Sequence, residues 1–222
     1  MKIFLSAMAV GLAICGSAPC ATPAVVTAAF QVGGVDFKLV LPDGYCLPAG
    51  QIAASADKAA AADTANATDL TAYKCDSRGD ALEQPLLIKT PRGMLSTTVE
   101  RRAFLAQMGA QLHNPEVTAA LASGKIDKSS AAAFSKVEGD PVTVKSEFKL
   151  VGEDDTCVYM AGTETIGEGA RSTRAAVAAC MTAAHGRVLS IYAFGPYSAP
   201  HDALALEPKA RALALTLIKE NE

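Results

Sequence analysis

Apolar and polar positions alternate most regularly in the second half of the chain. Pro141 to Val151, Thr156 to Thr165, Arg171 to Ala183 and Arg187 to Phe194 are separated by Gly152-Glu153-Asp154-Asp155, Gly167-Glu168-Gly169 and His185-Gly186. Four sequential strands joined by tight turns predict an antiparallel meander. Alanine is frequent in the third segment, which leaves a helix over Ser172 to Ala184 as a rival. Near the start, Val25 to Leu41 reads as extended, with Phe37, Leu39 and Leu41 spaced to fill one buried face. Pro42-Asp43-Gly44 supplies the turn that ends it.

Between these regions the pattern is helical. Gln51 to Thr71 is dominated by alanine, the residue with the best helix propensity, so a helix or a helix pair hinged near Asp63 to Asn66 is expected. It has few large apolar residues and should pack lightly, as a surface helix or an arm that docks a partner. Leu86 to Lys89, bounded by Pro85 and Pro91, predicts a short strand. Thr97 and Glu100 have the spacing of a capping box, and Phe104, Leu105, Met108 and Leu112 recur at helical intervals until Asn114-Pro115. Glu116 to Ala122 predicts a further short helix. A last helix, from about Pro208 to Lys219, has Leu206, Ala210, Leu213 and Leu217 on one stripe, with proline tolerated in its first turn.

The extreme N-terminus differs from all of this. Lys2 precedes an apolar run from Ile3 to Ile14 and small residues from Gly16 to Ala24, the order of a cleavable export signal. Residues 1–21 are read as that signal, with cleavage after Ala21 or as late as Ala24. Acylation of Cys20 fits poorly, because Pro19 precedes it. The run is too short for a bilayer, which needs roughly 20 apolar residues. Residues 22–222 are then expected to form one α+β domain, an antiparallel sheet of about five to seven strands covered by helices, with an Ala-rich helical insertion at about 50–71.

Export changes the meaning of the cysteines. Removing Cys15 and Cys20 leaves Cys46, Cys75, Cys157 and Cys180, an even number suited to two disulfides in an oxidising compartment. Facing positions of a hairpin centred between Glu168 and Gly169 would bring Cys157 opposite Cys180, which favours strands there and a Cys157–Cys180 bond. The remaining pair is Cys46–Cys75, although four cysteines allow three connectivities. No Cys-x-x-Cys occurs, so structural disulfides are expected rather than a zinc or redox site.

Charge and motifs exclude more than they assign. The net charge of −3, which becomes −4 without Lys2, comes with no Lys/Arg cluster, so neither nucleic acid nor an anionic membrane is an expected partner. Ser198, His201 and Asp202 lie in one proline-rich loop, but a hydrolytic triad is assembled from distant segments, and no Gly-x-Ser-x-Gly elbow is present. Ser198 or Asp202 capping a turn explains the same residues. Asp154-Asp155 is too small a set for calcium, and Glu100-Arg101-Arg102 with His113 reads as a solvated helix face. Asn66-Ala67-Thr68 matches a glycosylation acceptor, relevant only to a eukaryotic secretory route. No catalytic, cofactor-binding or metal residue is expected.

An early strand ending in a Pro-x-Gly turn (Phe37 to Gly44), the late strand Gly186-Arg187-Val188-Leu189-Ser190-Ile191-Tyr192 and the closing amphipathic helix resemble the PsbP-like α/β/α sandwich group. Gly44-Tyr45-Cys46, followed by Tyr73-Lys74-Cys75, is similar to small exported bacterial proteins of unknown function. The resemblance implies an accessory, partner-binding protein without catalytic residues. The reading that follows is an exported, periplasmic or secreted, non-catalytic accessory or binding protein of the cell envelope. Its alternatives are an envelope hydrolase without a recognisable motif, betrayed by a pocket with a perturbed carboxylate or histidine, and a small-ligand carrier, betrayed by an apolar cavity.

Overall fold

A computed structural model describes residues 25–77, 84–121, 130–132, 135, 139, 141–167 and 172–222. The expected signal, residues 1–24, lies outside them. Seven antiparallel strands form one sheet in the order β3-β4-β5-β9-β8-β7-β6. They are β3 (Tyr45–Cys46), β4 (Asn66–Lys74), β5 (Leu86–Pro91), β6 (Val144–Glu153), β7 (Val158–Ile166), β8 (Thr173–Ala184) and β9 (Arg187–Pro196). The meander of the second half is therefore as read, and β8 is a strand despite its alanines. Its neighbours decide this: β7 and β9 bond it on both edges, which outweighs intrinsic propensity. The tight β8–β9 turn places His185 and Gly186 at φ values of 47° and 76°, the paired left-handed conformations of a type I′ hairpin.

Three elements differ from the sequence reading. Val25 to Leu41 is not one strand but a hairpin, β1 (Thr27–Val32) and β2 (Val35–Val40), forming a separate two-stranded sheet. Gly33 and Gly34 turn it, at φ 55° and 81°. The Ala-rich segment is helical only as α1 (Gly50–Ala62); from Asn66 onward the chain is strand β4. Asp63 makes the switch, because its Oδ1 accepts from the Ala65 and Asn66 amides while its Oδ2 receives the Lys89 ammonium at 2.8 Å. As expected, α1 packs lightly, burying only Ala62. Helix α2 (Arg101–Leu112) starts one turn later than the Thr97 capping box implies: Glu100 is the cap, and its carboxylate accepts from the Arg102 and Ala103 amides. Asn114 then opens α3 (Pro115–Leu121).

One face of the sheet carries the main core. The hairpin contributes Ala28, Val32, Phe37 and Leu39, and α5 (Glu207–Asn221) contributes Ala210, Leu213, Ala214 and Leu217, all against Ile88, Leu189 and Ile191. Each large aliphatic or aromatic side chain so buried adds about 1.5–3 kcal/mol. The other face meets α2, where Phe104, Leu105 and Leu112 bury Val158, Ala183 and Val188. A short helix, α4 (Asp202–Ala205), leads into α5. No helix among the described residues is long and apolar enough to cross a membrane.

Both disulfides form as paired in the sequence reading, Cys46–Cys75 with a Cα separation of 5.0 Å and Cys157–Cys180 with 5.3 Å. The hairpin register is shifted from the expected one. Tyr159, not Cys157, stands opposite Cys180, so the bridge runs diagonally across the β7–β8 pair. Its loop lies outside the described residues.

Candidate functional site

A concavity lies where α2 passes the turn between β6 and β7, an open groove of about 890 Å³. Glu100, Arg102 and His113 line it from the helix, and Glu153, Asp154 and Asp155 from the turn. Gly109 faces the turn across this gap: a Cβ there would stand 2.2 Å from the Glu153 carboxylate, the end of a flexible side chain. The spacing of Glu100, Arg102 and His113 along one helix, noted in the sequence as a solvated face, thus becomes one wall of a groove. The opposite wall comes from a turn some forty residues away, a juxtaposition with no local signal.

Two carboxylates of this groove, Glu100 and Asp154, are favoured as anions. Glu100 is lowered because two backbone amides of the first turn of α2 bond it, with Arg102 and Arg101 adding attraction. Asp154 is opposed by burial, but the Arg211 guanidinium at 2.8 Å, the Cys157 and Thr156 amides and the Tyr159 hydroxyl outweigh that and lower it. Arg101 is pinned to Glu222, its Nη1 donating to both carboxylate oxygens at 2.8 and 2.9 Å. Arg102, His113, Glu153 and Asp155 remain exposed. A general acid needs a carboxyl raised toward neutrality; Glu100 and Asp154 are lowered instead, and the groove offers charge of both signs.

In the proline-rich loop Asp202 caps a turn, one of the two residues read for that role in the sequence. Asp202 Oδ2 accepts from the Ser198 and Ala199 amides and from the Ser198 hydroxyl at 2.6, 2.7 and 2.9 Å, so it closes a turn before α4. His201 is exposed and its Nε2 stands 3.6 Å from the other Asp202 oxygen. Asp154 is consumed by its protein partners. Among the described residues no three His, Cys, Asp or Glu side chains are grouped to hold a metal ion. The Asn66 amide nitrogen bonds both Asp63 oxygens.

Two groups with strongly moved ionisation lie elsewhere, and the sequence reading missed both. Asp69 sits at an irregularity in the β4–β5 pairing, between Thr68 and Leu70, with its carboxylate 2.7 Å from the Thr90 hydroxyl; burial raises it to about 6 against the opposing hydrogen bond. Lys209, in the first turn of α5, donates to the Tyr45 hydroxyl and is lowered to about 8 by burial and by nearby Lys74. Neither residue carries a recognisable motif, because its environment is assembled from distant strands.

Among solved structures, the chain is similar to the cyanobacterial PsbP (CyanoP) of Synechocystis sp. PCC 6803, with 11% identity, a TM-score of 0.38, and 91% of this chain and 96% of that chain covered. No family model and no curated protein matches. The PsbP-like resemblance is therefore weak, and a likeness this distant brings no residue and no role to the chain.

Proposed function

We propose that this is an exported, non-catalytic accessory or binding protein of the cell envelope, and that it meets its partner through the groove between α2 and the β6–β7 turn. The observation that carries the reading is the state of two carboxylates of the groove. Glu100 and Asp154 are fixed as anions by amides and a guanidinium, which suits a rigid charged recognition surface and not proton transfer. Exposed Arg102 and His113 on one wall face Glu153 and Asp155 on the other, a pattern complementary to a folded polar surface of mixed charge. The two disulfides fit an oxidising, exported location. The accessory role is also what the resemblance of Phe37 to Gly44 and Gly186 to Tyr192 implies.

Charge reversal tests it. An Arg102→Glu variant, expressed in the native host, should lose a protein that co-purifies in fixed stoichiometry with the unmodified chain, whereas Lys149→Glu, on the edge strand β6, should retain it. Retention by both variants counts against the groove. Lys209 beside Tyr45 is the observation closest to the hydrolase alternative, but it stands outside the groove, and no nucleophile, base and orienting group converge on it among the described residues.

A further inference from the structure

Lys74 and Lys209 approach one aromatic ring from segments far apart in the chain. Each ammonium lies 4.5 Å from the centroid of the Tyr45 ring, and Lys209 also donates to its hydroxyl. Tyr45 in turn donates to the Gln84 carbonyl at 3.1 Å, so its single proton is used and it presents only lone pairs to the lysines. Among the described residues neither ammonium is within ion-pair distance of a carboxylate. Two like charges at one half-buried spot repel, and the ring faces compensate only part of that. The arrangement is also rigid. Tyr45 is 2% exposed and stands opposite Lys74 in the β3–β4 register, the adjacent Cys46–Cys75 bond clips those two strands, and buried Ala210 and Leu213 fix the turn that carries Lys209.

We infer that Lys74, Lys209 and Tyr45 form a binding site for a phosphate-type oxyanion. Five ammonium protons remain after Lys209 serves Tyr45, and lysine binds phosphate as a compact point charge. A doubly charged tetrahedral group matches two cations and removes the repulsion between them. Partial burial leaves the attraction less screened than at an open surface, and the first turn of α5 adds its positive end. Both lysines keep partial solvent access, so the anion has a way in. The site is separate from the groove and does not depend on the function proposed for it.

The test is a lysine-detected NMR titration of the full chain, with inorganic phosphate and glycerol 3-phosphate as probes, chloride holding ionic strength constant. The expected result is saturable movement of the Lys74 and Lys209 signals and a rise of the Lys209 titration midpoint from about 8 toward the ordinary lysine value. Lys74→Met and Lys209→Met should each weaken binding at least about tenfold; Lys209→Arg should retain it, and Lys149→Met should leave it unchanged. Tighter binding of the ester assigns the site to phosphate esters, and equal binding to the free ion. A linear, non-saturating response, or equal weakening by Lys149→Met, overturns the inference. So does an unresponsive Lys209.

Discussion

Asn221 closes the free edge of β2 at Lys38. Its side-chain oxygen accepts from the Lys38 amide at 2.9 Å, and its nitrogen donates to the Lys38 carbonyl at 2.8 Å, completing a two-bond ladder in which a side chain replaces a strand. Glu220 serves the next free amide, Val40, at 3.2 Å. The end of α5 thus satisfies a sheet edge that would otherwise invite pairing with another chain. Replacing Asn221 by Ala should cost about 1–2 kcal/mol, read as a lower urea midpoint at constant slope. An unchanged midpoint would mean that water serves Lys38 equally well.

Two glycines should respond in opposite ways to one added methyl group. At Gly162 a Cβ would stand 1.8 Å from the Glu147 carbonyl oxygen of the paired strand, which is backbone and cannot yield, so Gly162→Ala should destabilise by about 3 kcal/mol. At Gly109 the obstacle is the end of the Glu153 side chain, which can swing into the groove, and alanine improves the helix; Gly109→Ala should be neutral or gain up to about 1 kcal/mol. Thermal melts of both variants decide this, and equal losses would refute it.

The disulfides should open in sequence. Cys157 and Cys180 are both 0% exposed, whereas Cys75 is exposed at the edge strand pair β3–β4. Thiol exchange needs access to a sulfur. Mild reduction under native conditions followed by alkylation and mass mapping should therefore label Cys46 and Cys75 first, with Cys157 and Cys180 labelled only on unfolding. Simultaneous labelling would show that the β7–β8 hairpin opens as readily as the edge.

Much of this architecture was legible because its signals are local. The four meander strands are punctuated by glycine-containing turns, and Phe104, Leu105 and Leu112 recur on one helical face, so chain order alone placed them. Gly33-Gly34 is an equally local signal, and it turns the segment expected to be extended into the β1–β2 hairpin. Asn66 to Thr71 misled for a physical reason: alanine-rich sequence favours helix on its own, but pairing with β5 on one edge supplies hydrogen bonds that propensity cannot match. The groove and the Tyr45 lysine pair were illegible, since each joins segments whose approach is set by the sheet order and not by spacing.

Asp69 gives the stability a definite pH dependence. Its carboxyl is raised in the folded state to about 6, above the unfolded value of about 3.9. The folded chain then holds its proton more tightly, so this residue's contribution is most favourable below the unfolded value and is lost as pH rises through about 6. Burial explains the preference: it disfavours the charged carboxylate by more than the hydrogen bond from the Thr90 hydroxyl, 2.7 Å away, favours it. Asp69→Asn should stabilise the protein at neutral pH by about 1 kcal/mol, after allowance for solvent screening, and should flatten the loss between pH about 4 and 6. A variant less stable at neutral pH, with the slope intact, would assign the dependence to another group.

The most direct test of the central claim is native mass spectrometry of the chain and its Arg102→Glu variant, each purified from the native host. The expected spectrum of the unmodified chain shows a mass shortened by the signal and lower by two hydrogens for each of two disulfides, in a defined complex with one partner that the variant lacks. A chain that remains alone in both samples, or one that carries a small molecule instead of a protein, would contradict the account of a groove built for a folded partner.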